Sequence, residues 1–164
     1  MRLGSLSYLL GILFSWESIL VSVNRSALLH YTPEEMFKLV TDIESYPGFL
    51  PWCSGANILS QQDNGVTARI EFSVGNVSKS FTTRNVHRVN EEIAMQLVDG
   101  PFSELQGYWR FQPLGEDGCK ISLSLDYDFS NRMVSMVVGP VFSNIANSLV
   151  DSFQKRAVEI YGAR

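Results

Sequence analysis

Residues 121–129, ISLSLDYDF, are followed after Ser130-Asn131 by residues 132–161, RMVSMVVGPVFSNIANSLVDSFQKRAVEIY. The first stretch sets Ile121, Leu123, Leu125, Tyr127 and Phe129 against Ser122, Ser124, Asp126 and Asp128. A period of two with one apolar face predicts a strand that is wet on its other side. The second stretch changes to a helical period, and Ser130 or Asn131 supplies its cap. Met133, Val137, Val141, Ile145, Leu149, Phe153 and Ala157 fall at every fourth position. Val134, Val138, Phe142, Ala146 and Val150 make a second stripe beside them. Unbroken, this helix is about 45 Å long, and Gly139-Pro140 is expected to kink it. No charge occurs from Met133 to Val150, but Pro140, Ser143, Asn144, Asn147 and Ser148 make a poor membrane span. So broad an apolar face predicts a helix lying in a concave sheet.

Working back along the chain, the same alternation recurs. Val66, Ala68, Ile70, Phe72 and Val74 alternate with Thr67, Arg69, Glu71 and Ser73. Further strands are predicted over 57–60, 81–89, 93–98 and 105–111, with a first one over 21–29. Asp63-Asn64-Gly65 and Gly115-Glu116-Asp117-Gly118 are hairpin links, so the strands form an antiparallel meander. Thr32-Pro33-Glu34-Glu35 opens a helix: Thr32 caps it, Pro33 suits its first position and Glu35 closes a capping box. Met36, Phe37, Leu39, Val40 and Ile43 give that helix its apolar face, and it ends near Glu44. Tyr46-Pro47-Gly48-Phe49-Leu50-Pro51-Trp52 then breaks the pattern as a tight aromatic corner.

At 164 residues the chain has the length of one domain. Hydrophobic residues make up 45 % and charged ones 18 %, which excludes a disordered or low-complexity chain. A net charge of −4 and a pI near 5.1 argue against a generic nucleic-acid binder. Cys53 and Cys119 are too few and too far apart for a disulfide framework or a four-cysteine zinc site, and read as reduced thiols of a cytosolic protein. Residues 3–16 form an apolar run behind Arg2, but no small-residue cleavage triplet follows it and it is too short to span a bilayer. Residues 1–21 are read as a leader outside the domain, either a signal or anchor segment or the product of a start codon set too early, with the domain expected over 22–164.

Catalytic signals are thin. His30 and His87 have no helical-spacing partner for a metal and read as surface histidines. No nucleophile elbow, P-loop or dinucleotide fingerprint is present. No catalytic residue and no metal ligand is therefore assigned. Arg69, Arg84, Arg88 and Arg110 belong to strands and offer a basic docking face, although Glu71, Asp126 and Asp128 are expected on the same face. The apolar inventory of Phe72, Phe81, Met95, Trp109, Phe111, Leu125 and Tyr127 faces the last helix. It reads equally as a packed core or as the wall of a cavity for a long apolar ligand.

Several stretches carry a resemblance: Val23-Asn24-Arg25-Ser26-Ala27, residues 43–53 (IESYPGFLPWC), Phe81-Thr82-Thr83-Arg84-Asn85, Leu97-Val98-Asp99-Gly100-Pro101-Phe102, residues 109–114 (WRFQPL), and Phe153, Arg156-Ala157 and Tyr161-Gly162. Over residues 22–162 the sequence resembles the coenzyme-Q-binding proteins and bacterial ribosome-association toxins of the START-like, helix-grip superfamily, formerly labelled oligoketide cyclases. The leader and Gly139-Pro140 depart from that pattern. The resemblance implies an α+β fold in which a seven-stranded antiparallel sheet wraps a long C-terminal helix around an apolar tunnel. It implies non-enzymatic binding of ubiquinone or a related isoprenoid lipid in support of respiration, by a monomer that is cytoplasmic or peripheral at the inner membrane. The tunnel would be lined by the seven sheet residues above with Met133, Val137, Val141, Ile145 and Leu149. Tyr46, Pro47, Phe49, Leu50 and Trp52 would form its mouth and touch the membrane surface. An alternative role is a toxin that binds the large ribosomal subunit through Arg69, Arg84, Arg88 and Arg110. A polyketide aromatase or cyclase is the remote third.

Overall fold

The computed structural model describes residues 20–164. The expected leader, with its early start, falls almost wholly outside the described residues. Seven strands form one antiparallel sheet: β1 (Val21–Leu29), β2 (Cys53–Gln62), β3 (Gly65–Val74), β4 (Val77–Arg88), β5 (Glu92–Asp99), β6 (Phe102–Leu114) and β7 (Gly118–Phe129). Their order is β1-β7-β6-β5-β4-β3-β2, so six consecutive strands run as a meander and β1 closes against the last of them. Helix α1 (Pro33–Thr41) and a 3₁₀ turn (Ile43–Gly48) connect β1 to β2, and α2 (Arg132–Tyr161) ends the fold.

Local chemistry sets these boundaries. At α1 the capping box is complete: Glu35 N donates to Thr32 Oγ1 at 3.1 Å, and Thr32 N donates to Glu35 Oε1 at 3.0 Å. Pro33 follows at the first helical position, where its missing N–H costs nothing. The backbone leaves the helical region at Asp42 (φ −80°, ψ 62°), so α1 ends at Thr41 rather than near Glu44, and the chain goes on as a 3₁₀ turn that contains Pro47. At α2, Asn131 accepts from Val134 N at 2.9 Å, and the helix continues across Gly139-Pro140 without ending. The two helices are tied together at their far ends. Tyr161 Oη donates to the Glu35 carbonyl at 3.0 Å, and Arg164 pairs with the Glu35 carboxylate at 2.8 Å.

Helix α2 buries the stripe through Val138, Phe142, Ala146 and Val150 together with the later part of the stripe that begins at Met133. Val138, Phe142, Ile145, Ala146, Val150, Phe153 and Ala157 are buried, whereas Met133 is 76 % and Val137 is 57 % exposed. Four residues advance about 400° around a helix, some 40° past a full turn. A strict every-fourth stripe therefore winds from the outer face at Met133 to the inner one at Phe153. Met133 and Val137 are accordingly removed from the set of inward residues. Val141 is only half-buried, packed at the edge of the cluster around Phe142.

Three apolar clusters make up the interior. One joins α1 and the end of α2 to β5–β7 through Phe37, Trp109, Phe111, Ile121, Leu123 and Phe153. A second surrounds Phe142 with Phe72, Phe102, Tyr127 and Phe129. The third holds the corner after α1 against β2 and β3, with Ile43, Leu50, Cys53, Ala68 and Ile70.

Candidate functional site

The three clusters do not close completely where they meet. A cavity of about 100 Å³ lies between the sheet and α2, walled by residues from all three. Period-two alternation supplies its sheet wall: Ala68 and Ile70 from β3, Phe81, Thr83 and Asn85 from β4, Met95 from β5, Leu105 and Trp109 from β6, and Leu123 and Leu125 from β7. Helix α2 covers it with Phe142, Ala146, Leu149 and Phe153, and the aromatic corner adds Ile43, Tyr46 and Trp52.

Of the twelve residues expected to line a tunnel, Phe81, Met95, Trp109, Leu125 and Leu149 reach this cavity. Phe72, Phe111, Tyr127 and Ile145 are buried but stand behind its wall, committed to side-chain packing. Phe111, for example, meets the Phe37 ring edge-on at 5.5 Å. Val141, Met133 and Val137 do not reach it. Of the five mouth residues, Tyr46 and Trp52 belong to the wall itself. Phe49 is half-buried between Tyr46 and Phe153, with the Arg156 guanidinium 4.7 Å over its ring, and Pro47 is exposed. Leu50 is fully buried, which removes it from any surface contact, because the corner folds inward onto Ile43 and Ile70.

Ile43, Ala68, Ile70, Leu105, Leu123, Phe142, Ala146 and Phe153 line the cavity without having been assigned to the tunnel, and Thr83 and Asn85 are polar wall residues that the apolar inventory passed over. These two lie two and four positions beyond Phe81, so alternation alone assigns them to the same face. Both are buried, and Thr83 Oγ1 donates to Asn85 Oδ1 at 2.8 Å. The Tyr46 hydroxyl donates to the Val40 carbonyl, and burial pushes its pKa upward. No histidine, cysteine, carboxylate or basic side chain belongs to the described wall. Cys53 and Cys119 are buried elsewhere, and burial raises both thiols, Cys119 to about 11.

His87 departs from the surface reading. Its ring meets Phe37 edge-on at 5.6 Å, and its Nε2 is buried without a partner among the described residues. Burial holds its pKa below the ordinary 6.5. The unfolded chain then binds this proton more readily than the folded one. The contribution of His87 to stability is therefore complete above pH 6.5 and is lost as the pH falls below it toward the folded-state value. The urea midpoint is expected to drop on acidification through that window, and His87→Leu should flatten the profile there.

The four arginines do share the outer side of the sheet, but acids accompany three of them. Arg69 pairs with Glu71 at 3.3 Å, Arg88 with Glu91 at 3.3 Å and Arg110 with Glu92 at 3.0 Å. Arg84 is exposed with no ion pair among the described residues. The face is mixed in sign rather than a basic patch.

This architecture has known counterparts. Residues 29–154 match the family described as "Polyketide cyclase / dehydrase and lipid transport". The ribosome association toxin RatA of Escherichia coli (strain K12) is 43 % identical over 148 residues, covering 90 % of this chain and 94 % of the toxin. The chain belongs to this family. It falls in the branch that holds the ribosome association toxins and the coenzyme-Q-binding proteins. The mitochondrial coenzyme Q-binding protein COQ10 homolog B of Xenopus laevis is 25 % identical, with 87 % of this chain and 60 % of that protein covered. Among solved structures, TTHA0849 of Thermus thermophilus superposes with a TM-score of 0.73 at 15 % identity, covering 85 % of this chain and 98 % of that one. The Zhui aromatase/cyclase from a Streptomyces species superposes with a TM-score of 0.70 at 16 % identity, covering 89 % and 100 %. These two share the fold. The family's START-like, helix-grip architecture is the one observed: seven antiparallel strands around a long C-terminal helix.

Proposed function

We propose that this protein is a non-enzymatic binder of an isoprenoid lipid, ubiquinone or a close relative, held between the sheet and α2. The observation that carries this reading is the cavity, whose wall is apolar apart from Tyr46, Trp52, Thr83 and Asn85. A prenyl tail offers only apolar area, worth roughly 25 cal/mol per Å² removed from water, and such a wall matches it. A cavity of about 150 Å³ accepts a benzene ring. The present volume of about 100 Å³ is smaller than that, so a quinone ring enters only if side chains of the wall give way. The wall offers no acid–base pair for aromatase or cyclase chemistry, since Tyr46 is its one titratable side chain among the described residues and its hydroxyl is already bonded. The name of the Xenopus relative agrees with this reading.

The names of the relatives at 43 % identity favour a second role, association with ribosomes. A mixed-sign outer face supports it weakly, with Arg84 as its one exposed arginine outside an ion pair among the described residues. One experiment separates the two. The full chain is purified without detergent from a quinone-producing host, and bound lipid is extracted into organic solvent and weighed by mass spectrometry. Ubiquinone near one per chain is the expected result. An empty protein that also refuses added quinone would overturn the lipid reading and leave salt-sensitive ribosome association as the leading one.

A further inference from the structure

Helix α2 is apolar on two opposite faces over its first turns. Its inner face packs Val138, Phe142 and Ala146 against the sheet. Met133, Met136, Val137 and Pro140 stand at i, i+3, i+4 and i+7, which places them on one outward stripe. All four are exposed, Met136 to 72 %. The apolar stripe then stops, because Ser143, Asn144, Asn147 and Asp151 continue the same side of the helix as polar residues. Of the most apolar eighteen-residue window of α2 only 28 % is buried. Single exposed apolar side chains are ordinary, whereas a contiguous patch marks a contact surface.

The chain enters the sheet at the same end of the fold. Strand β1 begins at Val21, opposite Tyr127 near the end of β7, and Leu20 and Val21 are themselves exposed. Residues 3–16 precede them, fourteen positions with nine large apolar side chains and no charge. A run so apolar throughout can hide only part of its surface on a stripe of four side chains, and the rest would stay in water. A second copy of the chain is a poor cover as well, since a stable interface takes about 20–30 residues a side. Lipid hydrocarbon accepts both features at once, because it receives an apolar segment on every side.

We propose that the stripe Met133, Met136, Val137 and Pro140 is a docking surface for a lipid bilayer, set into the head-group boundary with the polar residues from Ser143 onward in water. Glu104 and Asp128 stand opposite one another at this end of the sheet, so charge does not select an anionic surface and the attraction is apolar. The aromatic corner is a different place and a poorer one: Leu50 is fully buried, and the Arg156 guanidinium covers the Phe49 ring. This surface goes beyond the lipid-binding reading and does not depend on it.

The test sediments the full chain with quinone-free vesicles of phosphatidylcholine and phosphatidylethanolamine at low and at high salt. The wild type is expected to bind equally at both, because salt screens charges and not apolar contact. Met136→Glu and Val137→Glu should each lower the partition coefficient by about tenfold or more. Their far-UV circular dichroism should match the parent, since both positions are exposed. Pro47→Glu, at the exposed part of the corner, should leave binding unchanged. A wild type that stays in solution would overturn the proposal, as would stripe variants that bind like the wild type or binding that high salt abolishes. A wild-type dimer that the same two variants dissociate, with no vesicle binding, would give the stripe to a second copy instead. The vesicles carry no quinone, so failure here leaves the cavity reading standing, and an empty cavity leaves this surface standing.

Discussion

Leu149→Trp is expected to abolish uptake of a prenylated quinone, with a loss of well over tenfold, in a protein that still folds. Leu149 is half-buried on α2 and projects into the gap beside Trp109 and Phe153. An indole there occupies most of a space of about 100 Å³. It is easier to accommodate than a ring forced into close-packed core, where an added group costs about 1–3 kcal/mol. Stabilities of about 5–15 kcal/mol leave room for such a cost. Val158→Trp is the control, because Val158 lies on the same helix, is 44 % exposed and does not reach the cavity. Binding is read by titration with a short-chain quinone, and folding by far-UV circular dichroism and the thermal midpoint. Uptake that survives in a folded Leu149→Trp protein would mean that the ligand does not enter between sheet and helix.

How much of this site could be read in advance depends on the kind of information each part required. Strand alternation is local, so the inward positions of β3 and β7 were legible from Val66–Val74 and Ile121–Phe129 alone. The same rule places Thr83 and Asn85 beside Phe81. An inventory restricted to apolar residues hides them, although they carry the polarity of the wall. The capped helix α1 was legible because Thr32, Pro33 and Glu35 are neighbours in sequence. The outer face was not legible to the same degree. Arg110 meets Glu92 because the β5–β6 register sets those two residues opposite one another, across a separation that periodicity does not span. Leu50 belongs to the same class. Nothing in Phe49-Leu50-Pro51 says which apolar side chain of the corner turns inward, and only the docking of that corner onto β2 and β3 decides it.

The rotation of α2 is the other long-range decision, and Phe142→Ala tests it. Phe142 is buried at the centre of five rings, with centroids at 4.7 Å from Tyr127, 4.9 Å from Phe102, 5.9 Å from Phe81, 6.1 Å from Phe72 and 6.2 Å from Phe129. Truncating a buried phenylalanine costs about 3–5 kcal/mol, from forfeited transfer energy plus the void left behind. The edge-to-face attraction between Phe142 and its neighbouring rings disappears as well. At this chain length each kcal/mol moves the thermal midpoint by about 2–4 °C, so a fall on the order of 10 °C is expected. Met133→Ala on the outer face should stay within about 0.5 kcal/mol of the parent, since the side chain is 76 % exposed. Urea unfolding of the three proteins measures both differences. The contrast matters more than either value. A helix turned so that the stripe beginning at Met133 faced the sheet along its whole length would lose stability at Met133 as well. Comparable losses at the two positions would mean that α2 sits rotated from the orientation described, and Leu149 and Ala146 would then no longer cover the cavity.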